Sequence, residues 1–232
     1  MILLSLSCRC QNGWVAKRKS GSSLTPIKSR PYHHGSLRSV ILQAAIDHIA
    51  EWGPATLSLR ELARRAGVSH AAPAHHFGDK TGVFTAIATE GFRLVAEANR
   101  VPDVPLALPA AGLAFLRFAV SHPAHFMIMS RPDLYDGDDP ELIAARSASE
   151  AGFLEGVSEI TPDDQSAAGI ALAARSAMHG FITLWLNGAL SEYGSDVEEV
   201  AMILGQGLMA LGVAGQRELS AHPELTNPDN WT

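Results

Sequence analysis

Histidines, aspartates and arginines are the side chains here whose types and spacing could do chemistry. Histidine doublets stand at His33-His34 and His75-His76, the second followed by Asp79, a grouping that suggests metal binding or acid–base work. Adjacent residues on a helix point about 100 degrees apart, so a doublet chelates one ion poorly. No HExxH or CxxC pattern accompanies either pair, and an acyl-transfer reading of His-His with Asp lacks its glycine context. Asp133, Asp136, Asp138 and Asp139 suggest calcium, but the terminal bidentate glutamate of an EF-hand loop is missing and a solvated loop is expected. Cys8 and Cys10 have no second ligand pair nearby. With no Gly-rich phosphate loop or nucleophile elbow either, no catalytic residue, metal or cofactor is expected. The arginines and remaining histidines offer another chemistry: Arg60, Arg64, Arg65, His70, His75 and His76 supply donors for phosphates or base edges.

These donors sit in a basic region of an acidic chain. The 232 residues carry a formal net charge of -6, but twelve cations face only five acids in residues 1–95, a net of +7. The remaining six cations face nineteen acids, a net of -13. Such asymmetry marks one module that meets a polyanion and another that does not. With 47% hydrophobic and 18% charged residues the chain has apolar surface enough for a core. Two cysteines exclude a disulfide scaffold and suit a reducing compartment, so a cytoplasmic location is expected. Residues 1–30 lack a helical period and a signal-peptide pattern, and read as a disordered basic arm.

Helices must position the donors. Leu37, Val40, Ile41, Ala44, Ala45 and Ile49 recur at three-and-four spacing, predicting a helix that ends at Trp52-Gly53-Pro54. Ser58 and Glu61 form a capping box before a second helix bearing Leu59, Leu62, Ala63 and Ala66. Gly67 stops it in the left-handed conformation. Ser69 caps a short third helix ending near His76-Phe77-Gly78. Asp79 caps a long fourth with Val83, Phe84, Ile87, Ala88, Phe92 and Val95 on one stripe. A capped helix, a glycine turn and a short helix make a helix-turn-helix, whose last element enters the DNA major groove.

Every later signal is helical, so the fold class is all-α. Helices are predicted over Leu106 to Ser121, around Phe126, from Glu141 to Ser158, from Thr161 to about Leu190, and from the Ser195/Glu198 capping box to about Val213. The uncharged stretches Ser176 to Ser191 and Val200 to Gln216, 16 and 17 residues long, fall short of a membrane span. They fit burial between protein surfaces, as in a helix-pair dimer interface.

The run Pro31 to Phe84, PYHHGSLRSVILQAAIDHIAEWGPATLSLRELARRAGVSHAAPAHHFGDKTGVF, closely resembles the DNA-binding domain of TetR-family transcriptional regulators. Its W-G stop, T-x-x-x-L-A-x-x-A-G-V-S and H-F-x-x-K elements are that family's pattern in combination. Ala177 to Gly188, AMHGFITLWLNG, resembles the effector and dimerisation domain of the subgroup with a Trp-His-Gly signature, with Met178 in place of the Trp. The resemblance implies a helix-turn-helix domain over 31–95, an effector-binding and dimerisation bundle over 96–214, and a flexible tail over 215–232.

It also implies roles. Arg60 matches an arginine that reaches the major groove, and Ser69, His70, Ala72 and His75 match third-helix residues that read bases or phosphates. Lys80 matches a phosphate-gripping lysine, and Tyr32 and His33 match arm residues on the DNA backbone. Ala74 stands where the family frequently has Tyr, so His75 would replace a phenol's phosphate contact. His76 is either a DNA contact or packed beside Phe77. His179 is either a satisfied core group or an effector contact among Phe115, Phe118, Phe126, Met178 and Trp185. The implied function is a ligand-responsive regulator, most simply a repressor, binding a double-stranded pseudo-palindromic operator as a homodimer through its last two helices and released by a small-molecule effector. The alternative is a helical effector-binding or enzymatic bundle whose basic arm meets another partner.

Overall fold

The computed structural model describes residues 37–100, 108–158 and 164–222, and all their regular structure is helical, as the periodicity predicts. Tyr32, His33, the basic arm and the last ten residues lie outside the described residues. The helices are α1 (Leu37–Trp52), α2 (Leu59–Ala66), α3 (Ala72–Phe77), α4 (Lys80–Ala98), α5 (Leu108–Ser121), α6 (Pro123–Met129), α7 (Pro140–Ser158), α8 (Asp164–Leu186) and α9 (Val197–Ala221). Short 3-10 turns occupy Pro54–Thr56 and Pro132–Leu134. The chain divides into two compact units, one through Ala167 and one from Ala168.

α1 buries Ile41, Leu42, Ala45, His48 and Ile49. Leu37 and Val40, counted on the predicted stripe, remain 46% exposed. The seam rotates toward Leu42 and His48 because α1 meets α2, α3, α4 and α6 together rather than one flat partner. The buried His48 imidazole shares a 2.9 Å hydrogen bond through Nε2 with Thr56 Oγ1, tying α1 to the following turn. Burial, reinforced by Arg65, pushes the His48 pKa down and keeps the ring neutral.

α4 is the central element, packing against α1, α3, α5, α6 and α7. Of its predicted stripe, Val83, Phe84, Ile87, Ala88 and Val95 are buried and Phe92 only partly so, while Thr85, Thr89, Gly91 and Ala96 are buried as well. The extra burial is possible because the threonine hydroxyls donate to carbonyls one turn back, Thr85 to Thr81 at 2.9 Å and Thr89 to Thr85 at 2.8 Å. Thr85 Oγ1 also accepts from the Asp136 N–H at 3.0 Å. One core therefore runs from Ile41, Ile49 and Leu62 through Phe84 and Ile87 to Ala124, Ile128 and Leu142. The compositional boundary near residue 95 falls inside α4.

Two glycines set the close approaches of α4. A Cβ at Gly82 would collide with the Phe77 carbonyl oxygen, and one at Gly91 with Met129 Sδ.

In the second unit, α8 ends at Leu186 rather than near Leu190, because Gly188 adopts φ 74 and the Ala189 N–H bonds the Leu184 carbonyl at 3.0 Å. The predicted start of α8 at Thr161 to Asp163 lies outside the described residues. α9 is capped by Asp196, whose Oδ1 accepts from Glu198 N–H at 2.8 Å and Glu199 N–H at 3.1 Å. The cap is thus Asp196, not Ser195, because Asp196 directly precedes the first helical residue and reaches the unpaired donors of that turn. α9 continues past Val213 to Ala221, so the first part of the expected loose tail is helical. The 20 residues Ala167–Leu186 and the 21 of Val197–Arg217 are long and apolar enough to cross a membrane by length and composition. The uncharged stretch Ser176 to Ser191 begins only after Arg175, in the middle of the first of these spans, and Val200 to Gln216 is bounded by Glu199 and Arg217 of the second.

Gly82→Ala should lower unfolding stability by about 2 kcal/mol, since backbone cannot move aside as a flexible side chain would. Urea denaturation measures it, and an unchanged midpoint would show that the α3–α4 junction is not tightly packed.

Candidate nucleic-acid interface

α2 begins as its sequence requires: Ser58 Oγ accepts from the Glu61 N–H at 3.2 Å. The reciprocal half of the capping box is replaced. Glu61 accepts from Arg64 Nε at 2.8 Å, Arg64 Nη2 at 2.7 Å and Arg65 Nε at 3.0 Å. A charged guanidinium is a stronger donor than the Ser58 amide, so the carboxylate turns outward along its own helix. Arg65 also reaches Glu51 of α1 at 3.2 Å, joining the two helices. Hydrogen bonds from Arg64 first and Arg65 second hold the Glu61 carboxyl down at about 2. Of three arginines on α2, two are therefore engaged by carboxylates.

Gly67 closes α2 in the left-handed conformation, φ 67 and ψ 32. α3 does not start on a Ser69 hydroxyl cap: its N-cap is Ala71, and Ser69 contributes its carbonyl, which accepts the Ala72 N–H at 3.0 Å. With Ala71 as the N-cap, Pro73 falls in the first helical turn, where a missing N–H breaks nothing. Gly78, at φ 76, ends α3, and Asp79 Oδ1 caps α4 by accepting the Gly82 N–H at 2.9 Å.

This short helix has two faces. Ala72, Pro73 and Phe77 are buried, so Ala72 is a core residue rather than one presented to DNA. Ser69, His70, Ala74 and His75 are exposed. His76 is half-buried, edge-on to His75 at 5.2 Å and to Phe77 at 6.5 Å between ring centroids, which is the packed arrangement. Exposed Arg60 lines a shallow recess of about 270 Å³ with Ser58, Glu61, Arg64 and His70. Lys80 is only half-exposed: Nζ donates to the Ala55 carbonyl at 3.2 Å and lies 5.4 Å from the Phe84 ring centre, and burial pushes its pKa down. Its first role is to tie α4 to the turn after α1, with two of its three donors left over.

Arg38 is a residue that the sequence pattern did not single out. Its guanidinium lies 4.9 Å from the Phe77 ring centre, linking α1 to the end of α3. An arginine and a phenylalanine so far apart in the chain give no sequence signal of meeting.

The residues read as effector contacts fall in two groups. Phe115 lies 6.1 Å from both Phe118 and Phe126 between ring centres, forming one aromatic cluster in the first unit. Met178, His179 and Trp185 are on α8 in the second unit, where Trp185 stacks on Phe181 at 6.3 Å. His179 is exposed, so it is not a core group. The acidic loop has structural work: Asp133 pairs with Arg131 at 2.8 Å, Asp136 Oδ1 accepts from the Asp138 N–H at 3.0 Å, and Asp139 Oδ1 caps α7 through the Leu142 N–H at 2.9 Å. Among the described residues no group of His, Cys, Asp and Glu is arranged to hold a metal.

A capped helix, a glycine turn and a short helix with one cationic exposed face define a helix-turn-helix protein. Residues 41–87 match the model for bacterial regulatory proteins of the tetR family, and residues 108–206 match the tetracyclin repressor-like C-terminal domain. The uncharacterized HTH-type transcriptional regulator Rv0681 of Mycobacterium tuberculosis is 25% identical over 174 residues, 72% of this chain and 78% of that protein. A solved structure of a protein with unknown function from Rhodococcus sp. RHA1 is 34% identical with a TM-score of 0.61, covering 77% of this chain and 96% of that one. The TetR family transcriptional regulator PfmR from Thermus thermophilus is 25% identical with a TM-score of 0.50, covering 69% and 92%. The chain belongs to the TetR family. It is a transcriptional regulator, and the enzymatic alternative falls with that membership.

The depressed Glu61 carboxyl sets an acid limit on the ion pairs along α2. Its pKa falls from 4.5 to about 2 on folding, so the unfolded chain takes up the proton first. The contribution to stability is complete above pH 4.5 and is lost as pH falls toward 2. Glu61→Gln should lower the urea midpoint at neutral pH and flatten its decline across that acid window. An equally steep decline in the variant would contradict the assignment.

Proposed function

We propose that this regulator is a repressor that binds a pseudo-palindromic operator as a homodimer and is released by a small-molecule effector in the cytoplasm. The observation that carries the reading is that Arg60 of α2, Ser69 and His70 of the turn and His75 of α3 are exposed, Arg60 and His70 beside one recess, while Ala72, Pro73 and Phe77 are buried. Arg60 and His70 share one recess and reach the major groove, and Lys80 adds a phosphate contact with its remaining donors. Tyr32 and His33 of the preceding arm follow the DNA backbone.

Dimerisation uses α8 and α9. Met202, Met209 and Leu211 are each at least 61% exposed on α9, and Leu172 is 69% exposed on α8. Apolar helix surface of this extent needs a cover. Because family similarity extends through residues 108–206, a second copy fits better than a bilayer. The Trp-His-Gly likeness of Ala177 to Gly188 supports the same assignment. The aromatic cluster of Phe115, Phe118 and Phe126 supports an effector site in the first unit, from which α4 would carry a displacement to α3 and alter the spacing of half-sites.

Two expectations follow. Arg60→Ala with Lys80→Ala should weaken operator binding tenfold or more, to about 1–3 kcal/mol per lost contact, and lessen the slope of log affinity against log salt. Parental affinity in moderate salt would refute the DNA-binding face. Met202→Glu with Met209→Glu, two turns apart on one face, should leave a monomer in sedimentation analysis. A persistent dimer would place the interface elsewhere.

A further inference from the structure

Residues 37–95 contain five arginines, and three of them are occupied. Arg64 and Arg65 are held by Glu61, and Arg93 by Glu141 at 2.8 Å. Arg38 and Arg60 have neither a hydrogen bond nor an ion pair among the described residues. Arg60 lines the recess with His70, just before α3. Arg38 stands at the other end of that helix, over the ring of its last residue, Phe77, at 4.9 Å from the ring centre.

The guanidinium of Arg38 is held without being used up. It belongs to the first turn of α1, which carries no acidic residue, and it is exposed. The ring beneath it is fixed, because Phe77 is buried and a Cβ at Gly82 of α4 would strike its carbonyl oxygen. An aromatic face attracts a cation through its quadrupole, so the contact consumes no N–H donor. The donor fork of Arg38 stays available while a side chain with many rotamers is confined to one place. Residues 1–35 hold six cations and no acid, so the chain leading into Arg38 supplies no carboxylate to compete for it. An exposed guanidinium of this kind is arranged to meet an anion from outside, and its fork matches a phosphate.

The site lies where phosphate would be. α3 has six residues, about 9 Å of helix. Seated in a major groove about 12 Å wide, so short a helix leaves both of its ends close to the phosphate strands that border the groove. One guanidinium free of carboxylates precedes α3 and the other covers its last residue.

We propose that Arg38 is a further phosphate contact of this protein, held in position for DNA by the ring of Phe77. Phe77 is the positioning residue: with the guanidinium already placed on its ring, binding does not first have to order a long side chain. The proposal rests on the DNA-binding reading and adds to it a backbone contact at the end of α3 opposite Arg60.

The test compares the full chain with its Arg38→Gln and Arg38→Lys variants on two duplexes across a range of salt. One duplex is selected by the parent protein from a random-sequence pool, and the other has that sequence scrambled. Arg38→Gln should bind both duplexes at least about fivefold more weakly, and its slope of log affinity against log salt should shrink by about one for each protomer. Arg38→Lys should keep the parental slope, since the charge remains. It should still bind at least about twofold more weakly than the parent, since an ammonium does not reproduce the planar contact with the ring. Parental affinity and slope in Arg38→Gln overturn the phosphate contact. A loss confined to the selected duplex overturns it as well, because a phosphate contact carries no sequence information. An equal loss of slope in Arg38→Lys marks disturbed helix packing rather than a lost charge, and also overturns the proposal. Arg38→Lys indistinguishable from the parent overturns the role of Phe77. If the parent protein itself enriches no sequence and holds neither duplex, the DNA-binding reading fails and this contact fails with it.

Discussion

α4 must be buried on nearly every side at once, and this constraint organises the first unit. It closes the helix-turn-helix through Val83, Phe84 and Ile87, and it also packs against α6 and α7. An ordinary amphipathic stripe covers only one side of a helix. The chain meets the wider demand with glycine and threonine. Gly82 and Gly91 admit backbone and side chains that a Cβ would exclude, while Thr85 and Thr89 bury hydroxyls by bonding them to their own helix. α4 thus runs through one continuous core from the helix-turn-helix to α6 and α7.

α3 rests on α4 through small, specific contacts. Phe77 is buried at the end of α3, its carbonyl abuts Gly82, and its ring lies under Arg38. A partly exposed cation–π contact of this kind is worth about 0.5–1 kcal/mol, enough to bias the position of a six-residue helix. On the outer side the charge is less than the sequence count suggests. Arg64 and Arg65 are neutralised along α2 by Glu61, and Arg65 also by Glu51. Arg60 and His70 remain at the surface, beside one recess, in a chain whose net charge is -6.

The second unit poses the opposite problem. α8 and α9 expose large apolar side chains along most of their lengths, and their composition is compatible with either lipid or protein as the covering medium. Hydropathy alone does not separate these readings, and the proposed homodimer would supply the protein cover. Long apolar helices with scattered glycines suit close approach between like surfaces, where small residues let backbones near one another.

Local signals were legible in the sequence because they depend on neighbouring residues. The Ser58 and Asp79 caps, the left-handed Gly67 and the end of α1 at Trp52 follow from chemistry within one turn. So did the all-α class and the helix-turn-helix. Where two local solutions competed, the sequence was ambiguous: Ser195 and Asp196 both offer a cap, and only helix geometry selected Asp196. Contacts between distant residues could not be read at all. That Ala72 turns inward, that Lys80 bonds Ala55, that Arg38 lies over Phe77 and that a buried His125 faces Glu90 are decided by how helices cross. Periodicity tells each helix which side is apolar. Only tertiary packing decides which partner that side meets, because the crossing is fixed by the joint shape of several helices and not by any one segment.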